Sequence, residues 1–230
     1  ALDFHDDEQA RGITIDPANG SMIHNVDNDD YLINLIDTPG HVDFGGDVTR
    51  AMRAVDGCIV LCDAVEGIMP QTETVLKQAL KERVKPVLFI NKVDRLIKEL
   101  RLTPEKMQET LAAVVSNFNQ LLDTYAEPEY REKWKVSIQD SSVTFGSAKD
   151  RWAINIDLMK EKGITFKDVI SAYTDEKVAD LVEKAPLAEA ILGMVVKHHP
   201  PPHVAQKYRI PKLWHGDLES EEGKALINCD

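Results

Sequence analysis

Pro86-Val-Leu-Phe-Ile90-Asn-Lys-Val-Asp94 joins a continuous apolar run to a short polar turn. A run without alternation is typical of a strand covered on both faces, in the middle of a sheet. The turn follows where the strand ends, which is where α/β sheets bind their ligands. The Asp94 carboxylate can accept two parallel N–H bonds from the edge of a guanine, which adenine cannot supply. The stretch predicts an α/β sheet with a base-recognising turn, and a polar turn without a ligand is the alternative.

The elements around this stretch repeat the same alternation. A second apolar run, Cys58–Cys62, predicts another central strand, and a further strand is expected at Ser142–Phe145. Apolar spacing predicts helices over 47–55 and 71–83. Thr103-Pro104 has the N-cap and first-turn residues that begin a long helix. The order predicts an open α/β sheet, mixed but mainly parallel, with crossover helices on its faces.

The two ends of the chain carry weaker patterns. Loose alternation from Gly12 to Val26 and the run Tyr31–Ile36 predict an antiparallel pair of strands around a turn. Short helices are expected at 164–173 and 178–184. The three prolines of His198-His-Pro-Pro-Pro-His203 predict the end of a preceding helix.

Composition excludes several classes of function. The chain has 230 residues and a formal net charge of −12, which argues against wrapping DNA or any other phosphate backbone. No apolar run approaches the ~20 residues of a membrane span. Cys58 and Cys62 lie within a predicted strand, about 13 Å apart by the strand rise. They are interpreted as small buried hydrophobic residues of a protein in a reducing compartment.

Two motifs offer groups for a phosphate and its metal ion. Asp37-Thr-Pro-Gly-His41 ends an apolar strand, so Asp37 can hold Mg²⁺ through a water while the Gly40 N–H approaches a terminal phosphate. The hydroxyl of Thr14, in Arg11-Gly-Ile-Thr14, is a suitable oxygen ligand for the same ion. The alternatives are a strand-to-helix turn for the first motif and an ordinary strand residue for Thr14.

The remaining base-binding groups lie in two turns. Lys92 can lay its methylene groups along a base, and Asn91 can tie neighbouring loops together. Ser147 and Ala148, in the small-residue turn after the strand at Ser142–Phe145, complete the expected site. The Ala148 N–H is expected to donate to the guanine carbonyl oxygen.

Taken together, the motifs resemble those of the translational GTPases. Four segments are similar, in order, to the second to fifth guanine-nucleotide motifs of those proteins: Arg11–Ile15, Asp37–His41, Asn91–Asp94 and Gly146–Ala148. Longer phrases resemble the elongation factor 2 family in its archaeal form: Asp37–Arg50, Gly67–Glu73 and Gln206–Pro211.

The resemblance implies a function and its participants. It implies hydrolysis of GTP to GDP and phosphate with Mg²⁺, and ribosomal translocation of tRNA and mRNA. Thr14 would belong to the first switch and Asp37 to the second. His41 would be catalytic and orient the attacking water once ribosomal RNA positions it. The implied partners are large-subunit ribosomal RNA and stalk proteins, in the cytoplasm, with no membrane or DNA partner.

The resemblance also sets the expected domain organisation. No Gly-x-x-x-x-Gly-Lys-[Ser/Thr] occurs in the sequence, so residues 1–151 are interpreted as a GTPase core without its first strand and P-loop. Residues 152–185 are expected to form a small insert, 186–205 the last helix, and 206–230 a linker and the start of a β-barrel domain.

Three alternatives stay open on the sequence. The chain could come from a related GTPase of another RNA machine, or act as a non-catalytic fragment that binds no nucleotide tightly. The histidines at 198, 199 and 203 could bind a metal, although adjacent and Pro-separated histidines lack a fixed ligand geometry.

Overall fold

The computed structural model describes residues 18–38 and 45–230. The strands are β1 (Ala18–Val26), β2 (Asp29–Asp37), β3 (Gly57–Asp63), β4 (Lys85–Asn91), β5 (Val143–Ser147) and β6 (Trp152–Ile154). The helices are α1 (Gly45–Ala54), α2 (Pro70–Lys81), α3 (Val93–Lys98), α4 (Pro104–Tyr125), α5 (Ile156–Lys162), α6 (Phe166–Thr174), α7 (Val178–Lys184), α8 (Leu187–His198), α9 (Pro202–Leu213) and α10 (Glu221–Asn228).

The chain divides into two compact units. One contains the described residues up to Cys58 together with 74–85 and 199–230. The other contains 59–73 and 86–198. The turn at 91–94 and residues 152–185, the expected insert, both belong to the second unit.

β1 and β2 form an antiparallel hairpin, as the alternating pattern predicts. Ile23 lies opposite Leu32, and the Ser21 hydroxyl donates to Asn34 Oδ1 at 2.7 Å. Asp27 and Asn28 form the two-residue turn with φ of 53° and 70°. Asp and Asn tolerate this left-handed region, which matches the twist of a tight hairpin.

The second sheet is mixed, in the order β3-β4-β5-β6. β4 and β5 are parallel, with Ile90 opposite Phe145, and β5 and β6 are antiparallel. Residues 86–90 of β4 are all buried, so the predicted central strand and the α/β class are confirmed.

The expectation that β3 is covered on both faces is wrong for the described part of the chain. Val60 and Cys62 are buried, but Leu61, on the opposite face, is 58% exposed. β3 is the terminal strand in the order of its sheet, so only one of its sides has a neighbouring strand among the described residues. A continuous apolar run therefore overstated its burial.

The long helix α4 begins where its cap predicts. The Thr103 hydroxyl accepts the Lys106 N–H at 3.4 Å, with Pro104 at the first helical position. The side chains of one stripe are buried: Met107, Leu111, Val114, Val115, Phe118 and Leu122. The observed α1 and α2 also match the expected helices at 47–55 and 71–83 within three residues at each end.

The insert contains elements that the sequence did not predict. β6 has only three residues, all buried, and α5 follows it at once. Asn155 caps α5 by accepting the Leu158 N–H at 3.0 Å, and this Asn before an apolar residue was the available signal. The expected helices at 164–173 and 178–184 match α6 and α7 within two residues at each end, and Thr165 and Asp168 form a capping box at the start of α6.

The prolines end α8 at His198, as predicted, but the interpretation of 206–230 as a linker and first strand is contradicted. The structure has α9 and α10 in that region. Ala205 and Arg209 are buried four residues apart, which is the helical spacing. The pattern was missed because arginine is rarely counted among core residues.

The buried guanidinium of Arg209 is hydrogen-bonded to backbone carbonyl groups. Its guanidinium donates to the carbonyl oxygen of Met52 at 2.7 Å, that of Glu82 at 3.2 Å, and that of Val55. These carbonyls lie at and beyond the ends of α1 and α2, where helices leave acceptors without intrahelical partners. Burial lowers the pKa of Arg209, and the charge of Asp56 opposes this effect.

Candidate functional site

Asn91 connects two turns at the end of the sheet. It is the last residue of β4, and its Oδ1 accepts the Lys92 N–H at 2.8 Å and the Ala148 N–H at 2.9 Å. The turn after β4 is therefore fixed to the turn after β5 through one side chain. The Ala148 N–H, which the sequence analysis assigned to a guanine oxygen, donates to Asn91 in this structure.

Lys92 is fixed at both ends. Its backbone has φ of 63°, and its Nζ lies 2.8 Å from Asp63 Oδ2. Arg95 Nη1 lies 3.2 Å from the same oxygen. Because the backbone and the ammonium group are both fixed, the methylene groups of Lys92 have a defined course beside the turn.

Asp63 was missed in the sequence analysis. It ends β3, and its carboxylate also accepts the Val65 N–H at 2.8 Å. Burial acts to raise the pKa of Asp63, but the bonds from Lys92 and from backbone N–H groups outweigh it, so the pKa is lowered. An acidic residue at the end of an apolar strand was the available signal, equivalent to that at Asp37.

Asp94 is the clearest candidate for binding a ligand. It lies in the first turn of α3 with 7% of its surface exposed. No hydrogen bond to its carboxylate is formed by residues 18–38 and 45–230. Buried carboxylates are normally paired or hydrogen-bonded. Asp94 therefore has acceptor oxygens available to a ligand that brings its own donors.

Ser147 shapes the turn after β5. It is fully buried at the end of the strand, and its hydroxyl accepts the Asp150 N–H at 3.2 Å. One residue earlier, a Cβ on Gly146 would collide with the Trp152 carbonyl and with Ala153. Only glycine allows the close approach of β5 and β6 that sets the direction of this turn.

The structure brings together Asn91, Lys92, Asp94, Ser147 and Ala148 in one unit. Asp37 is the last residue of β2, in the other unit. Thr14, Gly40 and His41 lie outside the described residues. The residues expected at the base thus lie in one compact unit, whereas Asp37, expected at the phosphates, does not belong to that unit.

No metal centre is found in the described ranges. No group of three or more His, Cys, Asp or Glu side chains there could hold a metal ion. His198 Nε2 lies 2.8 Å from the Asp140 carbonyl oxygen, whereas the His199 ring lies against Gly57. Burial raises the pKa of both Cys58 and Cys62 to about 12, which keeps them neutral thiols.

The sequence of this chain matches a known protein family. Residues 1–201 match the sequence model of the elongation factor Tu GTP binding domain. The chain belongs to this family. Members of this family are GTP-binding domains.

Several curated proteins with similar sequences are elongation factor 2 proteins. Elongation factor 2 of Cenarchaeum symbiosum is 76% identical over 229 residues, which is all of this chain and 31% of that protein. The elongation factor 2 proteins of Thermococcus kodakarensis and Methanocaldococcus jannaschii are 62% and 61% identical, again over the whole chain and 31% and 32% of their lengths. The chain therefore spans about a third of the length of the curated relatives it matches.

No helix in the described part of this GTP-binding domain combines the length and the apolar character that a membrane crossing requires.

Proposed function

We propose that this chain carries the guanine-base site and switch sequences of an elongation factor that hydrolyses GTP to GDP and phosphate. In the whole protein, hydrolysis would drive the movement of tRNA and mRNA through the ribosome. The observation that carries the proposal is the carboxylate of the largely buried residue Asp94, just beyond the first of two turns that Asn91 joins. Membership of the GTP-binding domain family and the similarity to elongation factor 2 support it.

Base selection follows from hydrogen-bond complementarity. Asp94 accepts from the ring N–H and the amino group of guanine, and Lys92 supports one face of the base with its methylene groups. Adenine presents no matching pair of donors, so it would leave a buried carboxylate unpaired. That penalty is the main source of discrimination at such sites. The Ala148 N–H is available to the guanine carbonyl oxygen once it is shared with Asn91 Oδ1.

The phosphate end would be served by Thr14, Asp37 and Gly40. A hydroxyl and a carboxylate are the oxygen ligands that Mg²⁺ prefers, so the donor set fits this ion. Thr14 would bind it directly and Asp37 through a water, while the Gly40 N–H donates to the terminal phosphate. When bound, Mg²⁺ would neutralise charge on the phosphate oxygens.

His41 would act on the attacking water. Phosphoryl transfer needs an oriented nucleophile more than a strong base, so an imidazole that positions water is sufficient. Large-subunit ribosomal RNA and stalk proteins would bring this side chain into place. This role requires a protein of the cytoplasm, and neither a membrane nor DNA takes part in it.

The proposal is tested with the complete gene product and archaeal ribosomes. We expect ribosomes to stimulate GTP hydrolysis and the protein to advance mRNA by one codon in a toeprinting assay. The matched variant His41→Ala should retain GDP affinity and hydrolyse GTP at the unstimulated rate. GTP binding without ribosome stimulation in the parent would instead favour a GTPase of another RNA machine, and ribosome-stimulated turnover in His41→Ala would remove His41 from the mechanism.

A further inference from the structure

A chain of polar contacts connects the insert to the turn after β5. The Tyr173 hydroxyl, in α6, donates to Asp150 Oδ2 at 2.6 Å, and Trp152 Nε1 donates to the Tyr173 oxygen at 2.6 Å. Lys98 Nζ lies 2.9 Å from Asp150 Oδ2 and 4.6 Å from the centre of the Tyr173 ring. Nothing in the proposed chemistry of the nucleotide uses these four side chains.

We propose that Tyr173 is a positioning residue for guanine recognition, so that the insert controls the fit of the base. The proposal rests on the proposed function, since it concerns the same site. Tyr173 acts on the turn after β5 through Asp150, whose own N–H donates to Ser147 Oγ. By holding the Asp150 side chain, Tyr173 fixes the far end of the turn whose near end carries Ala148.

The same contacts also restrain helix α3. Lys98 ends this helix, and Asp94 lies in its first turn. α3 is only six residues long, so a contact at Lys98 restrains the orientation of the whole helix. The side chains of Asp150 and Tyr173 therefore hold both groups that meet the base: the Ala148 N–H through the turn, and the Asp94 carboxylate through α3.

The electrostatics fix the direction of each bond. Burial raises the pKa of Tyr173, and the negative charges of Asp150 and Asp94 raise it further, so the hydroxyl remains a donor. Burial acts to raise the pKa of Asp150 as well, but the bonds from Tyr173 and Lys98 outweigh it and lower that pKa. Asp150 stays a carboxylate that accepts from both partners, and bonds to a charged acceptor are the stronger kind.

Tyr173→Phe tests the proposal, because phenylalanine keeps the ring against Trp152 and Lys98 and removes only the hydroxyl. The variant and the parent are compared as the complete gene product. Hydrogen exchange, read by mass spectrometry over the peptide that contains residues 146–151, should become about 3- to 10-fold faster, which corresponds to the loss of one hydrogen bond. The affinity for GDP should fall by a similar factor, about 3- to 10-fold.

A selectivity readout separates positioning from a general loss of stability. Inosine diphosphate lacks the amino group that Asp94 would accept from, so loosening α3 should reduce the GDP preference over inosine diphosphate. Tyr125→Phe is the matched control, because the Tyr125 hydroxyl also donates to a carboxylate, Glu73, at 2.6 Å within the same unit. That control should leave both the exchange of 146–151 and the nucleotide preference unchanged.

Unchanged exchange over 146–151 in Tyr173→Phe overturns the positioning role, and so does an unchanged GDP preference over inosine diphosphate alongside weaker GDP binding. If the parent protein itself binds no GDP, the proposed function fails. The exchange experiment then still decides whether Tyr173 holds the turn, because it requires no nucleotide.

Discussion

Asp94→Asn in the complete gene product is expected to lower GDP affinity by about 100- to 1,000-fold and to create affinity for xanthosine diphosphate. The carboxylate can only accept, so it matches the two donors of guanine. An amide accepts with Oδ1 and donates with Nδ2, which matches the ring N–H and the 2-carbonyl of xanthine. Because Asp94 is 7% exposed, water can compensate little for a mismatch.

Competition of both diphosphates against a fluorescent nucleotide measures this change. Asp180→Asn is the matched control, since Asp180 is an exposed aspartate of the insert helix α7. It should bind GDP as the parent does. A variant at Asp94 that folds normally, by circular dichroism, and keeps its GDP preference would show that this carboxylate is not at the base.

Arg209→Met is expected to lower the free energy of unfolding by about 2–4 kcal/mol. Methionine fills much of the volume but leaves the carbonyl groups of Met52, Val55 and Glu82 without the donor they have now. The guanidinium loses its hydration when the protein folds. Removing it avoids that desolvation cost, which offsets part of the lost hydrogen-bond energy. The net effect remains destabilising because three acceptors lose a charged donor together.

Urea unfolding followed by far-ultraviolet circular dichroism gives this free energy. Lys207→Met is the control, because Lys207 is exposed on the same helix, α9, and should change stability by less than about 0.5 kcal/mol. Equal stability of Arg209→Met and the parent would mean that the three carbonyls find other donors, and that Arg209 does not hold the ends of α1 and α2.

Much of the fold could be predicted because its local signals agree with its packing. The apolar run at 86–90 is buried as expected, and Thr103 caps α4 where the sequence places the helix start. Failures arose where burial depends on distant chain segments. Leu61 reads as a core residue but is exposed, and Arg209 reads as a surface residue but is buried. Neither fact is encoded within a window of neighbouring residues.

In the candidate site, too, some residues could be predicted from the sequence and others could not. Asn91, Lys92 and Asp94 could be named from the sequence because their motif follows a strand directly. Tyr173 could not, since it reaches the site through a contact 23 positions away, with Asp150. Asp63 had only its place at a strand end as a signal, because its partner Lys92 lies 29 positions further along the chain. The residues that bind are local to the motif, whereas the residues that position them come from neighbouring strands and from the insert.

The two turns joined by Asn91 should select guanine over adenine. The most direct measurement is the affinity of the complete gene product for fluorescent GDP and fluorescent ADP, each with Mg²⁺. We expect tight binding of GDP and binding of ADP weaker by a factor of about 100 or more. Equal affinity for the two nucleotides, or no binding of GDP, would contradict the account.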